Sequence, residues 1–114
     1  MRLFVYGTLM RGEDGHELLG DCPFINHGTT PPEFTLVSLG PYPGLRLGGN
    51  TAVKGEIYEV SPAIVQVLDE YEEVPQVYLR VTRLLSGAET MIYLLRPEIE
   101  PEAPVIVSGD WRNR

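Results

Sequence analysis

The chain has 114 residues, 43% of them hydrophobic, and its 16 acidic against 9 basic side chains leave a formal net charge of −7. A single domain takes ~100–150 residues, so residues 1–114 are expected to form one domain, with no room for a separate cofactor-binding module. The acidic balance disfavours nucleic acid and anionic lipid as partners, and no apolar run approaches the ~20 residues of a membrane-spanning helix.

Arg2-Leu3-Phe4-Val5-Tyr6 runs straight into Gly7, which reads as a first strand and not as a secretory signal. Its apolar residues show little alternation, so this strand is expected at the centre of a sheet with both faces covered. Gly12, Gly15 and Gly20 punctuate residues 8–20, a loop in which residues 14–19 have room for at most two helical turns. Residues 34–39 predict a second strand, closed by Gly40-Pro41-Tyr42-Pro43-Gly44, a stiff loop that carries an aromatic ring.

Residues 52–60 alternate apolar with charged positions and predict a strand with one wet face. Ser61 and Pro62 then open a helix, serine as N-cap and proline at the first helical position, where its missing N–H has no partner to lose. Ile64, Val65, Leu68 and Tyr71 form the expected buried face, and Pro75 limits the helix to an end at residues 71–73. Residues 78–85 and 90–95 flank Ser86-Gly87-Ala88-Glu89 as a hairpin with a four-residue connection, and residues 105–107 form a strand too short to stand alone. Strands that follow one another directly in the second half point to an α+β fold and away from alternating βαβ units.

Chemistry-bearing residues are few. Cys22 has no partner for a disulfide, which suits a reducing, cytoplasmic setting. His16 and His27 show no metal-ligand spacing, so no metal site is expected. Cys22 with either histidine is a candidate nucleophile, but a free cysteine reads first as a small buried hydrophobe. No nucleotide fingerprint is present.

The acids are unevenly placed. Glu56, Glu59, Asp69, Glu70, Glu72 and Glu73 lie between Lys54 and Arg80 with no base among them. The last four crowd the C-terminal turn of the predicted helix, where the helix dipole already disfavours negative charge. Like charges and partial burial would raise the pKa of at least one of them, as a general acid/base requires. Charge alone leaves open whether these are solvated surface acids or a site.

A set of ordered motifs adds to this. Tyr6-Gly7-Thr8-Leu9 follows the first strand, Pro41-Tyr42-Pro43-Gly44 stands in the middle, and Gly55-Glu56-Ile57-Tyr58-Glu59-Val60 precedes Leu68-Asp69-Glu70-Tyr71-Glu72. Tyr78 and Arg80 come next, and Ser108-Gly109-Asp110-Trp111 lies near the end. In order and spacing the whole chain resembles the gamma-glutamylcyclotransferase-like family, in its short bacterial branch. Two positions depart from the common pattern: Thr8 stands where serine is frequent, and Glu73 where many members have glycine.

The resemblance implies a small mixed β-barrel, closed or nearly so, with one main helix and one or two short ones packed outside. It implies Glu72 as the acid/base and residues 6–9 as the substrate-binding loop. The implied reaction is cyclisation of a γ-glutamyl group to 5-oxoproline with release of an amine or amino acid, without cofactor or metal. On this reading the partner is a small γ-glutamyl molecule.

The residue types fit those roles. Amides of Gly7, Thr8 and Leu9 at the end of a strand form a candidate anion cradle, and Gly7 allows close approach. Tyr42 and Tyr78 are candidate wall or hydroxyl contributors, and Tyr6 a candidate for orienting the loop. The alternative is a non-catalytic module of the same fold that binds a small ligand or a protein, since some short bacterial members lack the glutamate.

Overall fold

The computed structural model describes residues 1–114 as seven strands and one α-helix: β1 (Arg2–Val5), β2 (Phe24–Thr29), β3 (Phe34–Ser38), β4 (Pro43–Leu47), β5 (Lys54–Glu59), α1 (Pro62–Tyr71), β6 (Tyr78–Leu85) and β7 (Ala88–Leu95). Single 3-10 turns occupy His16–Leu19 and Trp111–Asn113. Leu3, Phe4 and Val5 are all buried, and β1 lies in the middle of a five-stranded sheet ordered β2-β5-β1-β7-β6. It runs antiparallel to β5 and parallel to β7, so the sheet is mixed.

The antiparallel hairpin β3–β4 forms a separate two-stranded sheet, so the strands do not close into one barrel. The hairpin is tied to the larger sheet through side chains. The Tyr78 hydroxyl on β6 donates to the Pro43 carbonyl at 2.6 Å, and the Arg46 guanidinium donates to the carbonyls of Arg96 and Ile99 at 3.1 and 2.8 Å. Residues 105–107 contribute a single bridge, Val37 to Val105.

Several expectations change in the structure. Residues 43–47 are a strand, not part of a loop, because Pro43 takes the first strand position, where a ladder tolerates its missing N–H. The connection shrinks to residues 39–42. β2 carries no strand signal in Phe-Ile-Asn-His-Gly-Thr, being an edge strand with a register irregularity between Phe24 and Asn26. In the last hairpin the connection is Ser86-Gly87, both at positive φ (51° and 78°), a two-residue turn whose twist suits the flanking strands.

β5 differs most in burial. It has no wet face: Gly55, Glu56, Ile57 and Tyr58 are all buried, Glu56 to 4% exposure. β5 lies between β1 and β2, and the chain after β1 covers its polar side.

Helix α1 starts as its sequence predicts. The Ser61 side chain accepts from the Ile64 N–H at 3.2 Å, and Pro62 follows as the first helical residue. Only Val65 and Leu68 are fully buried; Ile64 is half-buried and Tyr71 is 44% exposed. At its other end the Glu73 N–H donates to the Glu70 carbonyl (3.1 Å) and the Val74 N–H to the Asp69 carbonyl (2.9 Å). These are the two bonds of a Schellman cap, and Glu73 takes its left-handed position at φ 52°. Glu72 is the capping residue between helix and reversal.

Candidate active site

The end of β1, the following loop, the β3–β4 turn and the C-terminus of α1 converge on one cavity of about 180 Å³. Every residue singled out for the site lies in its wall: Tyr6, Gly7, Thr8, Leu9, Tyr42, Glu72 and Tyr78. These positions span residues 6–78 of the chain, and only the sheet order and the helix cap bring them together.

The four acids at the helix end separate into different environments. Asp69 faces the sheet, where Arg80 donates to both carboxylate oxygens (3.0 and 3.2 Å) and the Tyr93 hydroxyl donates at 2.8 Å. Burial pushes the Asp69 carboxyl up, but these hydrogen bonds outweigh it and hold the pKa below its usual value. Glu70 and Glu73 are exposed.

Glu72 is partly buried in the cavity wall, and burial raises its carboxyl to about 7. The perturbation expected from charge crowding is therefore a desolvation effect: no neighbouring charge contributes to it. At the Schellman reversal Tyr71, Glu72 and Glu73 all border the cavity, and Glu72 is the least exposed of the three.

Opposite Glu72, the loop after β1 has an asymmetric hydrogen-bonding pattern. Its carbonyls are all engaged: Gly7 accepts from the Met10 N–H (3.0 Å), Thr8 from the Gly15 N–H (2.8 Å) and Leu9 from His16 Nδ1 (2.9 Å). Its amides are not, since the N–H groups of Gly7, Thr8 and Leu9 donate to no acceptor in the chain. Three adjacent N–H groups without an acceptor in the chain thus belong to residues of the cavity wall.

Gly7 itself serves a different contact from the one expected. A Cβ there would stand 2.3 Å from Pro43 Cγ, so the glycine admits the β4 strand against the loop. The Tyr6 and Tyr78 hydroxyls are also committed, donating to the carbonyls of Tyr93 and Pro43 at 2.6 Å each. Both rings are walls, and burial keeps both phenols protonated, with pKa values raised well above the usual tyrosine value. Tyr42 stands at the mouth, 46% exposed.

Tyr71 and Tyr93 also line the cavity, and neither was legible as a site residue. Tyr71 sits at the edge of the helix's apolar stripe, indistinguishable by spacing from a core residue, but its hydroxyl lies 3.1 Å from Thr8 Oγ1. Tyr93 reads as an ordinary strand aromatic, and only its cross-strand pairing with Arg80 places it beside Asp69. Cys22 and both histidines stand outside the cavity wall, and no three His, Cys, Asp or Glu side chains converge as metal ligands.

A family model described as "Gamma-glutamyl cyclotransferase, AIG2-like" matches residues 3–113. The chain belongs to this family. A Vibrio cholerae protein to which gamma-glutamylcyclotransferase activity is ascribed is 38% identical over 112 residues, covering 98% of this chain and 96% of its own length. The human gamma-glutamylaminecyclotransferase is 36% identical over 121 residues, covering 92% and 72%. Among solved structures, an AIG2-like protein of Mus musculus superposes with a TM-score of 0.83 at 30% identity, covering 96% of this chain and 87% of the other. The family and this structural likeness agree with the α+β architecture. No helix is long and apolar enough to cross a membrane.

Proposed function

We propose that residues 1–114 act as one gamma-glutamylcyclotransferase domain that converts a γ-glutamyl group to 5-oxoproline and releases an amine or amino acid. The observation that carries this reading is the pairing, in one cavity, of an isolated carboxyl raised to about 7 with three adjacent unpaired amides. The names of the relatives in Vibrio cholerae and human point the same way.

On this reading the substrate α-amine attacks its own side-chain amide carbonyl. Glu72 takes a proton from the attacking nitrogen and returns it to the leaving nitrogen, after which the old C–N bond breaks. One carboxyl then serves as base and acid in turn, and a pKa near neutrality suits both steps. No water or cofactor enters the balance. The free amides of residues 7–9 would hold the substrate carboxylate or the tetrahedral oxyanion, a role in which losing one donor typically lowers the rate ~10²–10³-fold.

Because nucleophile and electrophile belong to one molecule, much of the acceleration comes from holding the glutamyl chain folded for ring closure. A cavity of about 180 Å³ equals about six water volumes, room for a folded glutamyl group with the leaving amine passing out beside Tyr42 and Tyr71. A cytoplasmic setting accords with the lone, half-buried Cys22.

The test is a panel of γ-glutamyl amines and γ-glutamyl amino acids assayed for 5-oxoproline by mass spectrometry. Release from at least one, abolished in Glu72→Gln with the circular dichroism spectrum unchanged, is the expected result. Release from none, or full turnover by Glu72→Gln, overturns the reading.

A further inference from the structure

One buried carboxylate lies outside the cavity wall and takes no part in the chemistry above. Glu56, on β5, is 4% exposed and its oxygens face three donors, one from the same strand and two from distant parts of the chain. Oε1 accepts from the Arg11 backbone N–H (2.8 Å) and the Tyr58 hydroxyl (3.0 Å), and Oε2 lies 3.9 Å from Arg112 Nη1. A buried carboxylate is tolerated only where hydrogen bonds and a counter-charge replace its water, so whatever supplies those donors is held in place.

Arg112 closes the arrangement from outside. Its Nε donates to Glu13 at 3.1 Å, and its Nη2 donates to the Arg11 carbonyl. Arg112 is itself fixed by the 3-10 turn that begins at the buried Trp111. Arg11 is therefore gripped at both ends of its peptide, its N–H by Glu56 and its carbonyl by Arg112. Arg11 lies in the same loop, two residues beyond the free amides of residues 7–9.

We propose that Glu56 and Arg112 are a positioning pair for the cyclotransferase reaction, clamping the loop after β1 so that its free amides stay aimed at the bound anion. The inference rests on the function proposed above. It follows from what the loop lacks: its three N–H groups are unpaired, and on the cavity side the loop is held only by the Thr8–Tyr71 hydroxyl contact and the packing of Gly7 on Pro43. Their aim has to come from behind, from the engaged carbonyls and from the grip on Arg11. Neither residue of the pair lines the cavity, so both act only through the loop.

The test combines amide hydrogen exchange at Met10 and Gly15, whose N–H groups hold the carbonyls of Gly7 and Thr8, with kcat/KM for 5-oxoproline release by the full chain. Arg112→Ala removes a half-exposed side chain, and Glu56→Ala removes the buried acceptor. Misplacing a reacting group by about 1 Å can lower a rate ~10²-fold, the loss expected for Glu56→Ala, with about a tenfold loss for Arg112→Ala. Exchange at Met10 and Gly15 should quicken in both, while the pH limb assigned to Glu72 stays near 7.

Glu56→Gln keeps an oxygen acceptor for Arg11 and Tyr58, so it should recover most of the activity that Glu56→Ala loses. Faster exchange without loss of kcat/KM, or loss of kcat/KM without faster exchange, overturns the proposal; so does no change in either. If Glu56→Ala fails to fold, Arg112→Ala decides alone. Wild-type protein without turnover would instead fail the cyclotransferase reading, and unchanged exchange would then still count against the clamp.

Discussion

Replacing Glu72 by glutamine removes a titration and leaves a side chain of nearly the same shape. The folded carboxyl titrates near 7, against the ordinary value of 4.5 in the unfolded chain. Below pH 4.5 the group is protonated in both states and contributes nothing to their difference. As pH rises from 4.5 to 7 the unfolded chain ionises first, so the unfolded state gains and stability falls. Above pH 7 both are ionised and the folded state carries a penalty of about 3 kcal/mol for a poorly solvated carboxylate.

Glu72→Gln has no such slope. Urea denaturation of both proteins between pH 4 and 8.5 should show the variant gaining on the wild type by about 3 kcal/mol over this range. In the same buffers, wild-type kcat/KM should rise through a limb near pH 7 as the base ionises, and the variant should lack it. Stability curves that stay parallel within about 0.5 kcal/mol would mean that Glu72 is solvated, and would remove the physical ground for assigning it the acid/base role.

Gly7→Ala places a methyl group against the Pro43 ring at 2.3 Å, a contact that one of the two strands must relieve. A loss of about 1–3 kcal/mol by thermal denaturation is expected, with a fall in activity as the amide loop shifts. Glu73→Gly relieves an L-residue from the left-handed position of the helix cap, and should stabilise the fold by about 1 kcal/mol, raising Tm by about 4 °C. An unchanged Tm would show that Glu73 is not strained there.

The local chemistry of this chain could be read from its residues alone. The start of α1 follows from Ser61-Pro62, the central place of β1 from its unbroken apolar run, and the last hairpin from its turn residues, although the turn proved shorter by two residues. The motif order identified the family, and the residues that the resemblance singles out, Glu72 and residues 6–9, line one cavity in the fold. β2 and β4 were not legible: an edge strand needs little apolar alternation, and a strand that opens on proline looks like a loop until its partner is known.

Charge patterning in the sequence determined that acids gather at the end of α1, but not what becomes of each. Six carboxylates between Lys54 and Arg80 are equivalent on paper. In the fold Asp69 is bound by Arg80 and Tyr93, Glu56 is buried beneath the loop, and of the two acids that line the cavity Glu73 is exposed while Glu72 is raised by burial with no counter-charge. A carboxyl's pKa depends on the water and charge within a few ångströms of it. Here those neighbours come from the sheet and the loop after β1, many residues away, so only the packed chain could distinguish the carboxyl raised by burial from those held by hydrogen bonds and from those left in water.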